Sequence, residues 1–286
     1  MNAPPSRSTS PVRALASTRN RVTRAGKQAA ARHVKPLLSD AVWERLGGRP
    51  EPTRPSLTAI AKRTGTDKWG LHYYTPHYER HLGHLRDEAF VLLEIGVGGY
   101  ARTGEGGGSV RMWRRYFRQA QIVGLDIEDK SFLDRPRLTT VLGDQTDAAV
   151  LEGVIERFGT PRVVVDDGSH RPEDIIATFE ILFPQLPDGA VYAIEDTQTS
   201  YWPEFGGSED LSSPDTTMAF VKRLVDGLNH EEFLDVDYRP SYTDTHVRAV
   251  HCYHNLVIIE KGDNREGSNK RKVLPRRFRR PPRTDG

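Results

Sequence analysis

The stretch "VVVDDGSH" (163–170) runs three valines into Asp166 and Asp167 and reaches His170 three residues later. The stretch "YAIED" (192–196) ends in the same way, in Glu195 and Asp196, 28 residues beyond Asp167. Apolar runs of this kind read as buried strands, so each pair of acids marks a strand's carboxyl end. Side by side in a parallel sheet, two such ends bring up to four carboxylates to one crevice. Carboxylates that close repel, and either one takes up a proton or a cation lies between them. Oxygen donors without cysteine suit Mg²⁺, Mn²⁺ or Ca²⁺. The plainer alternative is that the acids cap the helices that follow. His170 lies at the mouth of the same crevice, across a Gly-Ser turn. A neutral imidazole there can take a proton from a substrate hydroxyl near neutral pH. It can also serve as a metal ligand or a helix cap, and the four neighbouring acids favour the base.

A third strand end carries glycines instead of acids. In "EIGVGGYARTGEGGGS" (94–109), Gly96, Gly98 and Ala101 fit the G-x-G-x-x-G/A turn in which backbone approaches a nucleotide. The preceding Glu94 also fits the E-x-G-x-G turn of methyltransferases that bind S-adenosylmethionine. Asp126 closes "QIVGLDI" (121–127), where an acid can accept both ribose hydroxyls. Asp144 and Gln145, after the next strand, are placed to hydrogen-bond an adenine edge. Three successive strand ends therefore agree on an adenosyl ligand, either a dinucleotide or S-adenosylmethionine.

Positioning these groups requires a particular set of elements. Strands are expected at 89–99, 121–127, 137–147, in "PRVVVDDGSH" and at 189–198, with helices at 109–120, 148–159 and in "PEDIIATFEILFPQL" between them. Late in the chain, 233–239 and 249–262 read as strands, the second with a turn near His254-Asn255. Alternating strands and helices imply an α/β fold, a mainly parallel sheet with helices on both faces and an antiparallel edge. Ligands in such sheets bind at the carboxyl ends of the strands. A short helix is expected at 37–48 and a Pro-rich connector to 63, ahead of a body at 64–262.

Charge is unevenly spread. The formal net charge is +2, yet residues 1–36 hold eight Lys/Arg and no acid, and 261–286 hold ten Lys/Arg against three acids. The body between them is left strongly acidic, which argues against a nucleic-acid-binding domain. The two termini, 1–36 and 263–286, read as disordered basic tails. The start has no apolar core of signal-peptide type, and no apolar run approaches the ~20 residues of a membrane span. Cys252 is the only cysteine, which excludes an intrachain disulfide and fits a cytoplasmic protein.

Together "GTDKWGLHYYTPHYERHLG" (65–83), "EIGVGG", "DDGSH" and "IEDTQTSYW" resemble the metal-dependent sugar O-methyltransferases of macrolide biosynthesis. The resemblance covers about 64–262 and implies a Rossmann-like class I methyltransferase acting on a sugar hydroxyl of a glycoside. It implies that Asp167, Glu195 and Asp196 hold Mg²⁺ (or Mn²⁺) and that His170 is the general base. It further implies that Gly96, Ser109, Asp126, Asp144 and Gln145 line the S-adenosylmethionine site, with His72, Tyr73 and Tyr74 near ligand. The loop "TSYWPEF", with Tyr201 and Trp202, suits stacking on a sugar face. A homo-oligomer is expected. One departure is that the family's enzymes carry a larger N-terminal region, contributing to assembly and the acceptor site, where this sequence has a short helix and a basic tail. Two other readings are an NAD(P)-dependent oxidoreductase, which leaves the acids of the last two strands unexplained, and a non-catalytic adenosyl-binding accessory protein.

Overall fold

Valine, isoleucine and leucine runs bounded by glycine or acids become the strands of one sheet. The computed structural model describes residues 54–268 apart from 101 and 103. The helix expected at 37–48, the N-terminal tail and the C-terminal tail beyond 268 lie outside the described residues. The strands are β1 (Val91–Ile95), β2 (Gln121–Asp126), β3 (Leu138–Leu142), β4 (Val163–Asp166), β5 (Val191–Glu195), β6 (Val247–Tyr253) and β7 (Leu256–Lys261). Their order is β3-β2-β1-β4-β5-β7-β6. Every neighbouring pair from β3 to β5 is parallel, and β7 runs antiparallel to both β5 and β6. Chain order reverses between β1 and β4, which opens the crevice that a doubly wound sheet offers a ligand.

Both faces of the sheet are covered, so strand residues are apolar on both sides. Leu92, Ile122, Val163, Val165, Ala193 and Ile258 pack with helices α1 (Leu57–Thr64), α2 (Thr75–Leu82) and α3 (Gly108–Tyr116). The intervening Leu93, Val123, Val164, Ile194 and Ile259 pack with α4 (Ala148–Phe158), α5 (Pro172–Leu182) and α6 (Thr217–Gly227).

Three expectations change. The connector expected to reach residue 63 contains α1, capped by Ser56 Oγ accepting from Ala59 N and closed by left-handed Gly65. Its Leu57, Ile60 and Ala61 are buried in the core, so the body begins at Ser56 rather than at residue 64. The segment 233–239 is not a strand. Leu234 and Val236 are exposed, and the Asp235 carboxylate accepts from Asp237 N at 3.0 Å, a local bond that competes with any ladder. Helices α2 and α6 went unanticipated. The hairpin β6–β7 does turn at His254-Asn255, with Asn255 at φ 61°.

The glycine turn after β1 is set by a close backbone approach. Gly96 has φ 80°, and a Cβ there would lie 2.0 Å from the carbonyl oxygen of Asp167. Gly98 has φ 72° with open space around it. Gly98→Ala should therefore cost only the left-handed penalty, about 1–2 kcal/mol. Gly96→Ala must also push β1 and β4 apart and should cost clearly more, as urea melts of the two variants would read. Equal losses would show that the approach at Gly96 is not a constraint.

Candidate active site

Each acid of the crevice is delivered by a strand end. Ile95 pairs with Asp166 across β1 and β4, and Asp166 pairs with Ile194 across β4 and β5. Asp167 and Glu195 therefore fall side by side. Between them lies a residue that motif reasoning passed over. Lys68 is fully buried, and its ammonium donates to Asp167 Oδ2 at 2.6 Å and Glu195 Oε2 at 2.7 Å. It also stands 3.3 Å from Glu94 Oε1. Burial alone would lower the lysine pKa, but Asp167, Glu195 and Glu94 reverse this and hold the ammonium charged. The positive group demanded by converging carboxylates is thus partly supplied by the chain itself. "TDKW" carried the signal only as a lysine in a polar loop, a pattern that ordinarily means a solvated side chain.

The remaining acids divide into an inner and an outer group. Glu195 is buried, and its Oε1 accepts from Tyr78 Oη at 2.5 Å while Oε2 holds Lys68. Burial pushes the Glu94 carboxyl up to about 7, against the pull of Lys68. Burial likewise pushes Asp166 up to about 7, although it accepts from Tyr192 Oη and Gln145 Nε2. On the outer side, one ligand atom each from Asp167, His170 and Asp196 lie within 4.8 Å of one another. His170 Nε2 is 3.7 Å from Asp196 Oδ2. Tyr74 Oη donates to Asp196 Oδ1 at 2.7 Å, and His72 Nε2 approaches the same oxygen at 3.5 Å. Both His170 and Asp196 have left-handed backbones, φ 59° and 53°. These are uncommon values for residues other than glycine, though histidine and aspartate tolerate them better than most.

The donor set tests whether a divalent ion suits the crevice. Burial pushes the Asp167 and Glu195 carboxyls up, against the pull of the Lys68 ammonium. Asp167 and Asp196 bring hard carboxylate oxygens within reach of one point beside His170, and such oxygens fit Mg²⁺ or Mn²⁺. Glu195, expected to be a ligand alongside Asp167 and Asp196, is turned inward toward Lys68 and Tyr78.

The adenosyl side is equally ordered. Asp126 Oδ2 accepts from Val97 N at 2.8 Å across the glycine turn, and Oδ1 accepts from Glu128 N at 2.9 Å. Its carboxylate is aimed while each oxygen keeps capacity for a ribose hydroxyl. Ser109 is buried in the first turn of α3. Asp144 is exposed and its carboxyl is held below its ordinary value by the backbone and hydroxyl of Thr146. Gln145 is buried instead of open. Its Nε2 donates to Thr178 Oγ1 at 3.0 Å and its Oε1 accepts from Ser169 N at 2.9 Å. It acts as a strut under the Gly168-Ser169 turn that carries His170. Of the residues expected near an acceptor, Tyr73, Tyr201 and Trp202 are exposed. His72 stacks on Tyr74 with centroids 4.7 Å apart. Phe205 lies 6.0 Å from Trp202 and 6.5 Å from His170, centroid to centroid.

Two measurements probe this arrangement. Lys68→Met removes one partner of a buried ionic cluster and should cost about 3–5 kcal/mol, read by urea melts; a variant as stable as the parent would show that the acids need no ammonium. Asp166 gives a pH dependence. Its folded-state carboxyl keeps its proton up to about 7, whereas the ordinary value is 3.8. Its stabilising contribution is therefore complete below the ordinary value and fades as pH rises through the folded one. The metal-free chain should lose stability across that window, more shallowly in Asp166→Asn. An unchanged slope would exclude Asp166 as a source.

No family model matches the sequence, but individual proteins do. The chain is 48% identical over 217 residues to demethylmacrocin O-methyltransferase of Streptomyces fradiae, covering 75% of this chain and 55% of that one. It is 46% identical over 230 residues to 8-demethyl-8-alpha-L-rhamnosyl tetracenomycin-C 2'-O-methyltransferase of Streptomyces olivaceus, covering 80% and 61%. Mycinamicin VI 2''-O-methyltransferase of Micromonospora griseorubida is 42% identical over 232 residues, covering 80% and 57%. Among solved structures, the MycE methyltransferase in complex with Mg, SAH and mycinamycin VI superposes with a TM-score of 0.74 at 42% identity, over 79% of this chain and 58% of MycE. The chain thus spans a little over half the length of these relatives. Among the described residues no helix is long and apolar enough to cross a membrane. Over three quarters or more of its length this chain is similar to sugar O-methyltransferases, and its described body shares the Rossmann-like fold of MycE.

Proposed function

We propose that the protein is an S-adenosylmethionine-dependent, Mg²⁺-assisted O-methyltransferase that acts on a sugar hydroxyl of a glycoside or glycosylated natural product. The observation that carries this reading is the convergence of Asp167, His170 and Asp196 beside the glycine turn, in a chain whose relatives are sugar O-methyltransferases. Those relatives disfavour the oxidoreductase alternative, which in any case gives the β4 and β5 acids no task.

Asp126 would accept the ribose hydroxyls, while Gly96 and Gly98 allow close approach and Ser109 and Asp144 flank the nucleoside; Gln145 contributes through the turn it supports. S-adenosylmethionine, when bound, supplies an electrophilic methyl group. Asp167 and Asp196 would hold the divalent ion, with Glu195 the third acid of the set. That ion supplies Lewis acidity toward the acceptor's oxygens. His170 Nε2, 3.7 Å from Asp196 Oδ2, takes the proton of the acceptor hydroxyl. Tyr201 and Trp202 offer exposed ring faces to a sugar, and His72, Tyr73 and Tyr74 line the side toward the 65–83 segment. Much of the remaining rate comes from holding two substrates at reacting distance. The single cysteine supports a cytoplasmic setting, and exposed Leu234 and Val236 support a homo-oligomer that covers them.

Methyl transfer from labelled cofactor across a panel of glycosides, with Mg²⁺ and with chelator, tests the proposal. Full turnover in chelator would remove the ion's role, and calorimetry showing NADH binding without S-adenosylmethionine binding would replace the reading altogether. His170→Ala should lower turnover by about 10²–10⁴-fold with cofactor binding intact, and the acid limb of the pH–rate profile should disappear. Near-normal turnover would reduce His170 to a turn residue. Asp126→Ala should weaken cofactor binding with no change in Mg²⁺ affinity.

A further inference from the structure

A second group of metal-binding side chains lies away from the crevice, where α2 crosses the β6–β7 hairpin. His81 comes from the last turn of α2, His251 from β6 and Glu260 from β7. The antiparallel register pairs Ala249 with Glu260 and His251 with Ile258, so His251 and Glu260 stand on the same face as diagonal neighbours. Their ligand atoms, with that of His81, all lie within 4.8 Å of one another. Glu260 Oε1 is the common point, 3.2 Å from His251 Nε2 and 3.5 Å from His81 Nδ1. Two ligands held at about 2.0–2.1 Å on a tetrahedral ion stand about 3.3 Å apart. Both measured edges fall close to that value.

The surroundings match those of a ligating set. The other ring nitrogen of His81, Nε2, pairs with Tyr253 Oη at 2.8 Å, and His77 stacks on Tyr253 with centroids 3.7 Å apart. Such a partner fixes a histidine's tautomer and ring plane. Arg248 Nη2 holds the second carboxylate oxygen, Glu260 Oε2, at 2.7 Å, leaving Oε1 for one bond. The His81 side chain is nearly closed off at 8% exposure, while His251 is open at 36%. β6 is the edge strand, so an ion can enter from solvent and a fourth position stays open to water.

We propose that His81, His251 and Glu260 form a second metal site, for Zn²⁺ or a similar borderline transition-metal ion, which clamps α2 to the sheet edge. Two imidazoles and one carboxylate are the wrong donors for Mg²⁺, which prefers oxygen, and the right ones for Zn²⁺ or Co²⁺. The site is separate from the outer acids and takes no part in the proposed methyl transfer. Its role is to fix the helix that presents Tyr78 to Glu195.

Co²⁺ titration of tag-free, metal-stripped full-length chain is the test, with Zn²⁺ competition and melting temperature read alongside. The expected result is the visible absorption of tetrahedral Co²⁺ at one equivalent, removed by Zn²⁺ and not by Mg²⁺. Zn²⁺ should also raise the melting temperature, since a ligand of the folded state stabilises it. His251→Ala and Glu260→Gln, both at the accessible edge, should each weaken Zn²⁺ binding by at least about tenfold. Asp196→Asn should leave the absorption in place. The proposal fails if no tetrahedral absorption develops, or if Asp196→Asn abolishes it while His251→Ala does not. Retention of S-adenosylhomocysteine binding by both edge variants distinguishes loss of this ion from loss of the fold.

Discussion

A buried ammonium is the constraint on which the site depends. Taking Lys68 out of water is costly by itself, and the cost is offset only because Glu94, Asp167 and Glu195 approach it from three adjacent strands. The reverse also holds, because those acids share one crevice only with a cation among them. One side chain thereby joins β1, β4 and β5 to a loop that precedes them all. The 65–83 segment is consequently part of the site's floor. Gly108 makes the same point from the other side, since a Cβ there would meet Thr66 Cα at 3.0 Å.

The way Lys68 divides the acids determines which of them remain for chemistry. Glu195 and Glu94 face inward, where an ammonium, a tyrosine hydroxyl and burial account for their charge or their proton. Asp167 is shared, with Oδ2 on Lys68 and a carboxylate oxygen within reach of His170 and Asp196. Asp196 faces outward, oriented by Tyr74. The left-handed backbones at His170 and Asp196 belong to this division. The two side chains meet there, with His170 Nε2 3.7 Å from Asp196 Oδ2. Strain of about 1–3 kcal/mol per residue is held in place by Gln145 under one turn and by Tyr74 against the other.

Legibility in the sequence followed the range of the interaction concerned. "DDGSH" and "IED" were readable because a valine run stating "buried strand" is followed at once by groups that a strand interior rejects. The glycine turn and Asp126 were readable for the same reason. Lys68 was not, because its partners lie 26, 99 and 127 residues away and nothing local marks a lysine as buried. Gln145 was placed correctly at a strand end, yet its amide faces Thr178 and Ser169, which only the packing of α5 decides. The alternation in 233–239 resembles a strand, but Asp235 closes a local turn by accepting from Asp237 N. Helix α1 was hidden by the prolines before it, although Ser56 and Gly65 are ordinary cap residues.

Helix α2 links the crevice to the sheet edge through one stripe of polar groups. Tyr74, at its entry, bonds Asp196; Tyr78, one turn on, bonds Glu195; His81 bonds Tyr253 and faces Glu260. Spacings of four and three residues place all three on one face of a helix. That face points at the sheet, where apolar side chains would pack more simply, and Leu82 and the ring of Tyr78 do serve that purpose. The hydroxyls and the imidazole therefore fix the rotation of the helix about its axis, which apolar contacts define poorly. A small turn of α2 would withdraw Tyr74 from Asp196 and Tyr78 from Glu195 together. The orientation of the outer acids is thus set partly at the far edge of the sheet, where His81 meets Tyr253 and Glu260.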